Sequence, residues 1–246
     1  MSYATDTSAP IKVTLLVPTL NEIVGMKEIM PKVKPEWYDQ LLIVDGNSTD
    51  GTIEYAREQG WQVIVQKKKG MRNAYIEVLP YITGDVILTF SPDGNSIPEL
   101  IPECIEKMKE GYDMVIVSRY AQGAKSYDDD LITGFGNWMF TNVLISMLHG
   151  FRYTDAMVIY RAYKKSLIYD LGLLKDKWFE KEEKLFNTAV SWEPLLSIRA
   201  ARKKLKIAEI PGDEPARVGG ERKLQVWRWG AVFLYQTFRE LFVKEY

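Results

Sequence analysis

IKVTLLVPTLNE, residues 11–22, is aliphatic or β-branched almost without interruption until it turns polar at Asn21 and Glu22. A run of this kind, closed by Pro18, reads as a strand buried on both faces, the condition of a parallel sheet. Working outward, 22–33 reads as a helix. QLLIVDGNSTDG (40–51) is a second strand entering a polar turn, where Thr49 or Asp50 caps the next helix, TIEYAREQG, which Gly60 ends. WQVIVQ (61–66) is a third strand and RNAYIEVLPYI (72–82) a helix. GDVILTFSPDGN (84–95) is a fourth strand, IPELIPECIEKMKEG (97–111) a helix and YDMVIVSRY (112–120) a fifth strand. Strands alternating with helices at this spacing imply a parallel sheet wound with right-handed crossovers. The second half is less regular. It predicts helices at 136–149 and 188–204, strands near 156–160 and at 206–212, and an aromatic helical tail. The organisation expected is a disordered lead-in (1–10), one α/β domain (11–224) and an appended amphipathic helix (225–246).

Composition narrows the function. The chain has 246 residues and a formal net charge of -1, so a general attraction to nucleic acid is not expected. Its one cysteine, Cys104, cannot form an intrachain disulfide, which fits a reducing compartment, and its amphipathic setting reads as a buried thiol. The one histidine, His149, has no G-x-S-x-G elbow to accompany it, against a serine hydrolase. The first ten residues lack the apolar stretch of a signal peptide. No run of about 18 uncharged apolar residues is read, so no membrane-spanning helix is expected and a cytoplasmic protein is.

In an open parallel sheet, ligands bind beyond the carboxyl ends of the strands. Four such ends carry polar residues: Pro18-Thr19-Leu20-Asn21-Glu22, Asp45-Gly46-Asn47-Ser48, Asp93-Gly94-Asn95 and Ser118-Arg119. Asp45 can accept from a ribose or a base N–H. Lys67-Lys68-Lys69-Gly70-Met71-Arg72-Asn73 precedes a helix, and cations, a glycine and a helix start suit a diphosphate; Arg72, which opens the helix, is favoured over the lysines. Asp93 and Asn95 alternate on an extended turn and offer the hard oxygens that Mg²⁺ or Mn²⁺ prefers.

These segments resemble glycosyltransferase family 2, with its GT-A nucleotide-diphospho-sugar transferase fold. VTLLVPTLNE is similar to that family's opening strand and P-x-x-N-E signature, IVDGNSTDGT to its V-D-D-G-S-T-D-G-T segment, and GMRNAYIEVLPYITGD to its A-R-N-x-G-I helix. Within the family the chain looks most like polyprenyl-phosphate sugar transferases of the dolichol-phosphate mannose synthase type. Their metal segment D-A-D-x-Q/S-H-P-P-E is matched by Ser91-Pro92-Asp93-Gly94-Asn95-Ser96-Ile97-Pro98-Glu99, one carboxylate short at Ser91.

The resemblance implies a mainly parallel central sheet with helices on both faces. It implies an inverting transfer of a sugar from a nucleotide diphosphate sugar to a polyprenyl phosphate, with Mg²⁺ or Mn²⁺ on Asp93 and Asn95. Pro18, Thr19, Leu20, Glu22, Asp45, Asn47, Gly70, Arg72 and Asp93 would hold the donor. DMVIVSRY gives Arg119 a phosphate or acceptor role, and YTDAMVIYRAYKK places Asp155 and Arg161 at the site, with Met157 and Ile159 where small residues are usual. KIAEIPGDEPARVGGERKL makes Arg217, Arg222 and Lys223 candidates for an acceptor phosphate. SWEPLLSIRAARKK makes Glu193 the best acid/base candidate.

A hydroxyl acceptor needs a general base, Glu193 or Asp155, whereas a lipid phosphate is already ionised and needs positioning. Trp227, Trp229, Phe233, Phe238 and Phe242 give the tail an apolar face suited either to packing on the domain or to peripheral contact with the inner membrane face. The competing readings are sugar transfer to a glycan or small-molecule hydroxyl in polysaccharide assembly, a nucleotidyltransferase, and a degenerate nucleotide-binding module.

Overall fold

A computed structural model describes residues 11–219 and 225–246. The expected lead-in at 1–10, and Arg222 and Lys223, lie outside the described residues. Seven strands form one sheet: β1 (Val13–Thr19), β2 (Gln40–Asp45), β3 (Gln62–Val65), β4 (Val86–Thr89), β5 (Met114–Ser118), β6 (Arg161–Lys164) and β7 (Ile207–Pro211), in the order β3-β2-β1-β4-β6-β5-β7. β6 is antiparallel to β4 and β5, and every other pairing is parallel. β1 is buried along its whole length. Leu16 packs with Leu42, Val44 and Ile87 on one face, and Leu15 and Val17 with Ile43, Leu88 and Val115 on the other. Successive strand side chains point to opposite faces, so a strand covered on both must be apolar throughout.

On the second of those faces lie α1 (Ile23–Ile29), α2 (Thr52–Glu58) and α4 (Ile101–Lys109). Cys104 is fully buried there and burial pushes its thiol well up, as expected of a structural thiol. The first face is covered by α3 (Met71–Val78), α5 (Leu131–His149), α7 (Glu193–Arg202) and α8 (Val226–Arg239), with α6 (Glu180–Phe186) packed beside α8.

The first half matches the expected elements to within a few residues. The second half departs from them. The strand expected near 156–160 begins only at Arg161, because side chains take the preceding backbone groups. Glu209 accepts from Thr154 N and Asp155 N, and the Arg161 guanidinium donates to Ala156 O and Val158 O. α5 starts earlier than expected, at Leu131, with Asp130 and Thr133 forming a capping box. α5 also corrects the reading of no membrane-length apolar stretch. It is 19 residues long and is the one helix, among those described, apolar enough to cross a membrane by length and composition. Its middle, Met139–Ile145, is π-helical.

The tail is not an appendage. Val232 and Phe233 of α8 join the core, and Glu240, just past the helix, pairs with Arg199 of α7 at 2.9 Å, both side chains fully buried. Arg199 also sits 4.6 Å from the Trp178 ring centre and 4.3 Å from that of Tyr246. Among 199–204, Arg199 is thus an internal anchor rather than part of a solvated basic face. Removing one partner of such a pair strands a buried charge and costs about 3–5 kcal/mol. Glu240→Ala should therefore lower stability by roughly that amount in urea denaturation, and the double variant Arg199→Met, Glu240→Leu should recover most of it.

Candidate active site

The carboxyl ends of β1, β2, β4, β5 and β7 open on one cavity of about 660 Å³. Pro18, Thr19, Leu20 and Glu22 line it from β1, Gly46 from the turn after β2, and Lys69 and Gly70 from the loop before α3. Ser91, Asp93 and Asn95 come from the loop after β4, Arg119 from β5, and Gly212 to Glu214 with Arg217 from beyond β7. The nucleoside and metal tips expected from the sequence therefore face the same space.

Two of the expected donor residues shape the site without lining it. Asp45 is fully buried. Its carboxylate accepts from Ser48 N, Ser48 Oγ and Thr19 Oγ1, each at 2.7 Å. Asn47, left-handed at φ 69°, donates its amide to Gln66 O. Both hold the β2 turn in shape, and Asp45 also supports Thr19, which does line the cavity. Gly70 has φ +108° and a side chain there would meet Ala189 at 2.8 Å, so the loop needs glycine. Arg72 turns away: it pairs with Asp176 and stacks 4.2 Å over Phe179, and the cation of this loop that lines the cavity is Lys69.

The metal segment is compact. Asp93 Oδ1 accepts from Asn95 N at 3.1 Å, and its Oδ2 pairs with Arg217 Nη1 at 2.8 Å. The Asn95 amide nitrogen donates to Asp128 at 3.0 Å, and Asn95 Oδ1 is buried with no hydrogen-bond partner. An orphaned oxygen beside a carboxylate fits a divalent cation that prefers hard ligands. Among the described residues no group of three or more His, Cys, Asp or Glu is placed to hold a metal, so phosphate oxygens or water would complete the shell.

Arg119 is the charged centre of the far side. Its Nε donates to Asp155 Oδ2 at 2.6 Å, and Nη1 lies 3.3 Å from Glu214 and 3.7 Å from Asp129. Burial works against its charge, but the adjacent Asp155 and Glu214 outweigh that and hold the guanidinium well above its ordinary value. Glu214 also accepts from Ser126 Oγ, and backbone bonds join Glu214 to Lys125 and Tyr127.

Three expected chemical residues have no access to the cavity. Asp155 is fully buried behind Arg119 and acts as its partner. Arg161 is fully buried, spends its guanidinium on Val158 O, Ala156 O and Ser197 Oγ, and is no phosphate ligand in this arrangement. Glu193, expected as an acid/base, is buried in the core, where Oε1 accepts from Tyr75 Oη at 2.8 Å, and it does not line the cavity. The sequence reading missed Asp128, Asp129 and Glu214, which do line the cavity. The acidic run Asp128-Asp129-Asp130 before a helix reads as a cap, and only Asp130 is one. The reading also missed the apolar wall of Ile132 and Phe140 from α5 and Val226, Trp229 and Phe233 from α8.

The glycosyl transferase family 2 model matches residues 14–172. The chain belongs to that family. Glycosyltransferase AglJ of Haloferax volcanii is 26% identical over 94% of this chain and 72% of its own length. The dolichol-phosphate mannosyltransferase of Pyrococcus furiosus is 29% identical over 87% of this chain, which spans 60% of that relative. A dolichyl-phosphate hexose transferase of Haloferax volcanii is 32% identical over 78% and 76%. Among solved structures, glucosyl-3-phosphoglycerate synthase of Mycobacterium tuberculosis in complex with Mn²⁺, uridine diphosphate and phosphoglyceric acid superposes with a TM-score of 0.65. It is 17% identical over 97% of this chain and 81% of that one, a likeness of fold. This family 2 member is thus a glycosyltransferase with the GT-A fold.

Burial raises the Glu214 carboxyl above its ordinary value of 4.5, against the opposing pull of Arg119 and Ser126. A raised folded value favours the protonated form in the fold. That contribution is fully present below about pH 4.5 and is lost as pH rises through the raised value. Glu214→Gln should flatten the fall in urea midpoint across that window, and an unchanged pH slope would count against the assignment.

Proposed function

We propose that this family 2 enzyme moves a sugar, with inversion, from a nucleotide diphosphate sugar to a polyprenyl phosphate. The observation that carries the reading is the two-sided cavity. Polar strand ends form one side, and an apolar wall of Ile132, Phe140, Trp229 and Phe233 forms the other. That wall continues outward into exposed Leu131, Phe135 and Trp138 on the first turns of α5. An isoprenoid chain needs such a surface, and a phosphate needs the polar side. The exposed apolar turns of α5, rather than the docked inner face of α8, then meet the inner membrane face as a peripheral contact. The two dolichyl-type relatives support the same acceptor class.

In this reading Asp93 and Asn95 hold Mg²⁺ or Mn²⁺, and Pro18, Thr19, Leu20, Glu22 and Gly70 shape the donor pocket. A bound divalent ion supplies charge that offsets the negative charge developing on the departing nucleoside diphosphate. Arg119 and Arg217 face the diphosphate and acceptor phosphate; Arg222 and Lys223 remain acceptor-phosphate candidates from the sequence. An acceptor phosphate oxygen attacks the anomeric carbon as the bond to the diphosphate oxygen breaks, and the nucleoside diphosphate leaves with the electron pair. No general base is required, because a phosphate monoester with a second pKa near ~6 is already largely ionised at neutral pH.

One observation favours transfer to a hydroxyl instead. Among the described lining residues, Glu22, Asp93, Asp128, Asp129, Asp213 and Glu214 outnumber Lys69, Arg119 and Arg217. Such a cavity is less welcoming to an anionic acceptor, and Glu214, with its raised pKa, would then take the hydroxyl proton.

A panel of nucleotide sugars with Mn²⁺ or Mg²⁺, with and without polyprenyl phosphate in liposomes, separates the two by released nucleoside diphosphate. Release that requires the lipid phosphate is expected; release with soluble glycans alone would sink the proposal. Asp93→Ala should weaken metal-dependent donor binding at least about tenfold, or about 1.4 kcal/mol, by titration calorimetry.

A further inference from the structure

We infer that Arg217 is a resident counter-ion of Asp93 which an arriving divalent cation displaces, so that Arg217–Gly219 forms a strap held shut until metal binds. The inference rests on the reading of Asp93 as a metal ligand.

The strap is fitted to the metal loop at Arg217 and Val218, and to α1 at Gly219. Arg217 Nη1 lies 2.8 Å from Asp93 Oδ2, and Val218 N donates to Asp93 O at 2.9 Å. A side chain on Gly94 would come within 2.5 Å of Val218, and one on Gly219 within 2.8 Å of Val24. Glycine at both positions is what lets the strap lie this close. Arg217 Nη2 is also 3.9 Å from Asp128, the carboxylate that accepts from Asn95. The guanidinium therefore stands among the oxygens that a hard cation would seek.

Arg217 is incompletely satisfied in this position. Its Nε is buried with no acceptor, whereas Arg199 has Nε, Nη1 and Nη2 all bonded. A pose that gives up Asp93 for phosphate oxygens offers several acceptors of matching geometry. Two cations cannot share one carboxylate at contact distance without repulsion, so metal and guanidinium compete for Asp93. By linkage, whatever weakens the Arg217 contact strengthens the metal by the same factor.

Mn²⁺ binding to the full chain, measured by electron paramagnetic resonance without donor or acceptor, tests this. Arg217→Ala should bind Mn²⁺ at least about tenfold more tightly than wild type, with Arg217→Lys in between. Equal or weaker binding by Arg217→Ala, with its thermal melt intact, overturns the inference. In the unmutated chain, Mn²⁺ should also speed tryptic cleavage after Arg217, and slower or unchanged cleavage overturns it too. Equal Mn²⁺ binding by wild type and Asp93→Ala would instead refute the metal assignment itself, a separate result.

Discussion

A single guanidinium, Arg119, ties three loops together around the end of β5. It stands at the end of β5 and gathers Asp155 before β6, Glu214 after β7 and Asp129 before α5. Its side chain is only 16% exposed, and a charge so placed needs close partners. The partners come from segments far apart in sequence, so satisfying this one charge fixes where three loops end. Two of those loops also carry Asp128 and Asp213, which line the cavity. The backbone pairing of 125–127 with Glu214 follows from the same constraint, since Ser126 shares that carboxylate. Arg119 is therefore a scaffold, and in the proposed reading an incoming anion would have to compete with groups already in contact.

The first half of the fold was legible because its signals are local. β1 and β2 are covered on both faces, so their apolar runs announce them, and Gly60 and Gly111 end helices just where left-handed glycines are found. Most of the polar strand ends were legible for the same reason: Thr19, Asp93 and Arg119 come within a few residues of an apolar run's end. What failed was everything decided by distant partners. Arg161 and Glu193 look like surface chemistry in sequence, but Ser197, Tyr75 and two backbone carbonyls bury them. The expected strand at 156–160 gave up the Ala156 and Val158 carbonyls to Arg161, while Glu209 holds Thr154 N and Asp155 N just before it. The apolar wall of the cavity was equally hidden, because it exists only where α5 and α8 meet.

α8 shows how an amphipathic helix can be read two ways and be partly both. Its inner residues Val232, Phe233, Gln236 and Thr237 are buried, yet Trp227 and Phe238 are exposed. The Arg199–Glu240 pair decides which face turns inward, since a fully buried ion pair tolerates little rotation before one charge is stranded. That orientation brings Trp229 and Phe233 to the cavity. The anchor and the site are thus coupled: loosening Glu240 would disturb the wall that an apolar acceptor would touch, although Glu240 itself is remote from the polar strand ends.

The charge balance of the cavity bears on why a cation is needed at all. Carboxylates exceed cations among the described lining residues before any donor enters, and a nucleotide diphosphate adds more negative charge to the same space. In a partly enclosed cavity, unscreened repulsion of that kind is costly. Ser91 stands where the resembled metal segment carries a carboxylate, which lessens the repulsion but in the proposed reading would also thin the metal's protein shell. Both consequences push the same way, toward a cation bound jointly by Asp93, Asn95 and the donor's own phosphates rather than held tightly by the protein alone. Metal and donor would then enter as a unit, and the carboxylates lining the cavity, instead of opposing the donor, would be the reason it arrives already neutralised.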